Sequence, residues 1–344
     1  MSINSALGLN PMTLNHTDRL LPSDTFTRGL ARELFENIEG LPIISPHGHC
    51  DPSWFSENKR FPDPAQLFVV PDHYVFRMLV SQGLTLYELG VQTLDGSFFE
   101  NDPQKIWKKF SENYYLFRGT PTAMWLDYSF EKVFGIKELL TPATSDFYYS
   151  QIEKKLSQPE YLPQALFDKF NIEVLSTTDS AISDLNQHIE IKNSNWDGRI
   201  IPTYRPDSVI NPHSHGFKNN LTKLGELTNE DANSWDGYLT AHRSRRLFFK
   251  EMGATATDHG HPSARTENLS YKEAELLFKR ILAEEFTAED ADQFRGQMLT
   301  EMAKMSCDDG LVMQLHPGSR RNHSDKIFNQ FGLDKGFDIP GRTD

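Results

Sequence analysis

The 344-residue chain contains only two cysteines, Cys50 and Cys307. Two thiols cannot build a disulfide framework, and such sparse usage predicts a reducing, cytoplasmic setting. There is no block of lysine and arginine: 35 basic residues against 48 acidic ones leave a formal charge of −13. That sign argues against nucleic acid or an anionic membrane as partner, while a few local arginines still allow a small anionic ligand. No apolar run approaches the roughly 20 residues that a membrane-spanning helix needs. The first residues, MSINSALGLNPMTLNHTDRL, lack a basic segment followed by an apolar one, so no signal peptide is predicted. Internal repeats and low-complexity tracts are missing too. No G-x-S-x-G, P-loop or G-x-G-x-x-G follows any apolar run, so serine hydrolase, NTPase and dinucleotide readings lose support.

What is present is a globular composition, 38% hydrophobic and 24% charged, long enough for one large domain or two ordinary ones. In TFTRGLARELFENIEG, Phe26, Leu30, Leu34, Phe35 and Ile38 recur at helical spacing, with Gly40 as a stop. LPII, residues 41–44, then predicts a short buried strand that runs into a Pro- and Gly-punctuated loop. From about residue 171 a rhythm sets in. FNIEVLSTTD, RIIPTYRPD, GATATDHGH and GLVMQLHPG each join a few apolar or β-prone residues directly to a polar cluster. Helical patterns separate the later ones: Ser270 and Glu273 form a capping box, and Thr287 precedes a helix with Phe294, Met298, Met302 and Met305 on one side. Strands alternating with helices predict an α/β fold with a parallel sheet, and right-handed crossovers bring every post-strand loop to one side. If those strands belong to a (β/α)8 barrel, the polar clusters meet on its C-terminal face. Only five of eight strands can be counted. The expected organisation is an N-terminal helix and first strand (1–50), a mostly helical insertion (51–170) and further βα units (171–344).

The clusters themselves carry the chemistry. In an extended segment His47 and His49 point to one side, so both imidazoles can reach one first-row metal ion. The spacing alone is weak, since HSH at 213–215 and HGH at 259–261 share it. HSH lies in a Pro/Asn/Gly loop and reads as solvated. Asp258, His259 and His316 end two further strands, either as candidate site residues or as hydrogen-bonded strand ends. Arg205, in IPTYRPD, offers a planar fork for a carboxylate, or pairs with Asp207. Arg320 and Arg321 extend the positive character or are surface charge. Thr177, Thr178 and Asp179 can bind sugar hydroxyls, although capping of the next helix reads slightly better. Cys50 alternates away from both histidines and reads as packing.

HGH after the first strand, then TTD, YRPD, DH and QLHPGSRRN in that order, resemble the uronate (glucuronate) isomerases of the amidohydrolase superfamily. The resemblance runs from about residue 22 to the end and includes PDHYVFRML, with Asp72, His73, Tyr74 and Arg77, which by spacing alone is an ordinary amphipathic helix. It implies a distorted barrel that interconverts aldo- and keto-uronates, glucuronate with fructuronate and galacturonate with tagaturonate. It implies one divalent metal, commonly zinc, on His47, His49 and an aspartate after the last strand. Tyr74, His73, Arg205 and His316 become catalytic residues. Arg205, His73, Asp179, His259 and Arg321 become substrate-binding residues. The family continues past GFDIPGRTD, so the resemblance also implies a C-terminally truncated part-barrel whose last metal ligand and a second arginine lie outside this sequence. A metal-dependent hydrolase of the same superfamily, an inactive fragment and a homo-oligomer are the other expectations to hold against the structure.

Overall fold

The structure, a computed structural model, describes residues 15–342 and divides into two compact units. One unit comprises residues up to Leu41, Arg60–Leu166 and Arg321–Asp338. The other comprises Pro42–Lys59, Phe167–Arg320 and the residues from Ile339 onward.

The first unit is helical, as its patterns predict. The helices His73–Ser81, Pro103–Glu112 and Ser145–Leu156 surround Phe76, Trp107, Phe110, Phe117, Phe130 and Tyr148, all at or near zero exposure. Each fully buried aromatic side chain contributes roughly 2–3 kcal/mol of transfer free energy before the ordering cost is subtracted. Aspartates start the helices: Asp72 accepts from the backbone N–H groups of Tyr74 and Val75 at 2.8 and 3.2 Å, and Asp102 caps Pro103–Glu112 in the same way. The helix Thr25–Glu36 forms where its spacing predicts, capped by Asp24. Its apolar stripe, however, is open to water: Phe26 is 81% and Leu34 64% exposed. A helical period specifies which residues share a face, but not what covers it.

The second unit is an α/β sheet. Strands β1 (Ile43–Ser45), β2 (Ile172–Ser176), β3 (Asp179–Ser180), β4 (Arg199–Ile201), β5 (Tyr204–Arg205), β6 (Ala256–His259) and β7 (Val312–Leu315) are all parallel to their partners. They group as β1-β2-β4 and β3-β5-β6-β7. Backbone bonds from Thr177 to Ile201, Asp179 to Thr203 and Ala181 to Arg205 carry the pairing of residues 172–181 through from the first group to the second. The five predicted strand regions are therefore neighbours in chain order. A further antiparallel pair, β8 (Ser319–Arg320) with β9 (Ile339–Pro340), was not expected.

The prediction that LPII is buried is wrong. Ile43 is 50% and Ile44 62% exposed, because β1 pairs on one side only among the described residues. The opposite edge, β7, likewise exposes Val312 at 64%. The predicted caps are present: Ser270 with Glu273 and Thr287 with Asp290 make reciprocal capping boxes. Phe294, Met298, Met302 and Met305 of the helix Ala288–Asp309 are buried against Tyr238, Phe278 and Ile281.

His242, on the helix Trp235–Glu251, is fully enclosed here, its Nδ1 2.7 Å from the Tyr204 hydroxyl. Burial pushes its pKa down from 6.5 to about 3. An unfolded chain takes up this proton near pH 6.5 and the folded one does not. The stability from a neutral His242 is therefore complete above about pH 6.5 and lost as pH falls, by about 3 kcal/mol at pH 4 and about 5 kcal/mol below pH 3. Denaturant titrations at pH 7 and pH 4 should show that loss, and it should shrink in His242→Gln. Equal pH dependence in the two proteins would remove His242 from the account.

Candidate active site

Parallel pairing aligns the C-terminal ends of β1, β5, β6 and β7, and the second unit gathers its polar clusters there. The centre is Asp258, whose side chain is fully buried. His316 Nε2 lies 2.6 Å from its Oδ1, His47 Nδ1 3.6 Å from the same oxygen, and Arg205 Nη1 3.3 Å from Oδ2. Burial works against ionisation of Asp258, yet the contact with His316, the Arg205 guanidinium and the neighbouring His316 and His47 rings outweigh it and hold the carboxyl below its usual range. A buried anion held among a guanidinium and two imidazoles is a preorganised electrostatic centre.

The predicted pair is formed. His47 Nε2 and His49 Nε2 approach to 3.2 Å, and the rings stand edge to face. Two lone-pair nitrogens converging so closely fit a shared cation. Burial, followed by the neighbouring His47 and Arg205, lowers the pKa of His49 and favours the neutral form that a metal requires. His47, Asp258 and His316 also offer one ligand atom each, all within 4.8 Å of one another. Imidazole and carboxylate donors in that number suit zinc or another first-row divalent ion.

Two glycines allow the strand ends to come this close. A Cβ on Gly48 would lie 2.8 Å from the backbone oxygen of Ser176, and the Gly48 carbonyl accepts from Thr178 Oγ1 at 2.8 Å. A Cβ on Gly260 would meet Arg205 Nη2 at 2.7 Å, Asp207 Oδ2 at 2.8 Å and His316 Cε1 at 3.0 Å. Asp207 binds Arg205 Nε at 2.8 Å and accepts from the Gly260 N–H at 3.2 Å, so Arg205 pairs both with its sequence neighbour and with the buried Asp258.

Other predicted residues go elsewhere. His259 is fully buried with Nε2 2.9 Å from Thr257 Oγ1, and burial pushes its pKa down to about 3; its neighbour Asp258 is the one in the cluster. Successive strand residues point to opposite faces, so only one of an adjacent pair can join a given cluster. Asp179 does not cap a helix: the next helix, Asn186–Lys192, begins after a left-handed Leu185. Asp179 accepts from Thr177 Oγ1 at 2.6 Å, and the same hydroxyl lies 2.8 Å from the buried His188. Cys50 packs beside a small apolar cluster with Phe55 and Leu175. His213 and His215 lie in an exposed loop, as HSH predicts. His73 and Tyr74 belong to the helical unit, in the first turn of His73–Ser81, with ring centroids 4.4 Å apart. Arg321, in the same unit, pairs with Asp338 at 3.2 Å. Asp258, noted at a strand end, was not placed in the site, and Gln314 was missed altogether. The position of Asp258 one residue before a strand-end histidine was the signal for it.

A parallel α/β sheet with such a centre at its strand ends defines the class, an enzyme whose site suits a divalent cation. The particular family follows from comparison with known proteins. Residues 17–344 match the glucuronate isomerase family. The chain is 57% identical over 327 residues to the uronate isomerase of Rhizobium meliloti (strain 1021), covering 95% of this chain and 70% of that protein. It is 54% identical over 333 residues to the uronate isomerase of Mesorhizobium japonicum, covering 97% and 71%. The crystal structure of glucuronate isomerase from Caulobacter crescentus superposes with a TM-score of 0.93 at 48% identity, over 97% of this chain and 70% of that one. The uronate isomerase of Thermotoga maritima superposes at 0.85 with 29% identity. The chain belongs to the glucuronate isomerase family and is an isomerase. Among the described residues no helix is long and apolar enough to cross a membrane.

Proposed function

We propose that this chain interconverts aldo- and keto-hexuronates, D-glucuronate with D-fructuronate and D-galacturonate with D-tagaturonate, at the cluster around Asp258. The observation that carries this reading is the buried carboxylate held by Arg205 and His316 beside the convergent His47 and His49. Five parallel segments adjacent in chain order support a (β/α)-barrel arrangement, in which strand C-termini carry the chemistry. Membership of the amidohydrolase superfamily and residence in a reducing cytoplasm belong to the same reading.

His47 and His49, with Asp258 and His316 beside them, would hold one divalent ion, and zinc suits these donors. When bound there, such a cation would supply polarisation of substrate oxygens or of a water molecule. The rest falls to the protein. Aldose–ketose isomerisation moves one proton between C2 and C1 through an enediol and passes a hydroxyl proton from one oxygen to the other, with no net oxidation. Tyr74 takes part in the carbon-to-carbon transfer as an acid–base group, a role that the family resemblance gives it. His316 orients the substrate and relays the hydroxyl proton, and the family resemblance gives His73 a proton-relay role as well. Arg205 favours the uronate carboxylate, since a guanidinium fork matches it; for Arg321 a carboxylate-binding role rests on the family resemblance alone. Asp179 and His259, held in contacts with Thr177 and Thr257 outside the Asp258 cluster, are given no direct contact with the substrate.

The test is direct. The purified chain with zinc and D-glucuronate should yield the ketose, followed by proton NMR. A chelator should stop the conversion and added zinc should restore it. A zinc-loaded, folded chain that converts neither uronate would defeat the assignment.

A further inference from the structure

Gln314 takes no part in the reading above, yet its side chain ties together the two strand ends that carry the histidines. It stands on β7, register-paired with Asp258 of β6. Its Nε2 donates to the Pro46 carbonyl at 2.8 Å, and its Oε1 lies 2.9 Å from His47 Nδ1. These two contacts leave no freedom in the proton positions. A carbonyl only accepts, so the NH2 end of the amide must face Pro46. Oε1 then faces His47, and since it too only accepts, His47 Nδ1 must carry the proton. The other group on that side of the ring, Asp258 Oδ1 at 3.6 Å, is also an acceptor and favours the same arrangement. A neutral imidazole protonated on Nδ1 has its lone pair on Nε2. That nitrogen is the one facing His49 Nε2 at 3.2 Å.

We propose that Gln314 is a positioning residue. By gripping Pro46 and His47 together it fixes the Nδ1–H form of His47 and aims Nε2 at the cation shared with His49. The proposal rests on the cation reading above. It adds a residue from the far edge of the sheet as the one that decides which nitrogen of His47 is available. Partners of this kind, bonded to the non-ligating nitrogen of a metal-binding histidine, fix ring orientation and tautomer.

Gln314→Leu keeps the approximate volume and removes both contacts. Gln314→Glu keeps an acceptor for Nδ1–H and loses the donor to Pro46. Zinc affinity, measured by competition with a chromophoric chelator, should weaken by about 10- to 100-fold in the leucine variant and largely recover in the glutamate variant. Thermal melting should report both variants as folded. Long-range ¹⁵N spectra of histidine-labelled, metal-free protein should show His47 protonated on Nδ1 in the native chain and a mixture of tautomers in Gln314→Leu. Unchanged zinc affinity in folded Gln314→Leu, or a native His47 protonated on Nε2, would overturn the proposal. The spectra are read without metal. A native chain that binds no zinc but shows the Nδ1–H form would therefore defeat the cation reading and uphold the tautomer assignment.

Discussion

Asp258→Asn should lower turnover on D-glucuronate by about a thousandfold or more. Asparagine preserves the shape of the side chain and removes its charge at the one fully buried position that faces Arg205, His316 and His47 together. The three basic groups would then face one another without the anion between them. Removing one member of a buried ion pair typically costs about 3–5 kcal/mol, so the melting temperature should fall along with activity. Cation affinity should fall as well, because the negative charge beside the two imidazoles is gone. Asp258→Glu, which restores the charge at a displaced position, should recover stability and zinc binding more than turnover. Steady-state kinetics with zinc content measured on the same samples separates these effects. Turnover within about tenfold of the native chain would remove Asp258 from the centre of the chemistry.

The second large effect is expected from Tyr74→Phe: a fall in turnover of about 10²- to 10⁴-fold, the range typical of a lost acid–base group, with zinc content and melting temperature unchanged. The substitution suits the question because Tyr74 is 52% exposed in the first turn of a well-capped helix. Exposed surface changes usually alter stability by less than about 0.5 kcal/mol, so the ring stays and only the phenolic hydroxyl is lost. Substrate affinity should change far less than turnover if the hydroxyl acts in proton transfer. A loss confined to KM would assign Tyr74 to uniform binding instead, and full activity would end its catalytic role.

Much of this molecule was legible in its sequence because the relevant signals are local. The five strand regions, the capping boxes at Ser270 and Thr287, and the buried methionine stripe of Ala288–Asp309 depend on residues within a few positions of one another. The pairing of His47 with His49 is local too, since alternation along an extended segment brings both rings to one side. The family resemblance rests on the order of such local motifs.

Exposure and convergence were not legible. The apolar periods of Thr25–Glu36 and LPII say which residues share a face, but their burial depends on what packs there, and both are open to water. The ring of Asp258, Arg205, His316 and His47 joins four strand ends spread over 270 residues, from His47 to His316. Which residue of the Asp258–His259 pair enters it is decided by strand orientation, and which Gln314 atom faces His47 by the side-by-side placement of β6 and β7. By itself the sequence determined the element types, their order and the residue types available at each strand end, because these follow from period, capping and chain order. Only the tertiary structure decided which of those residues meet, because parallel register and side-chain facing are properties of segments far apart in the chain.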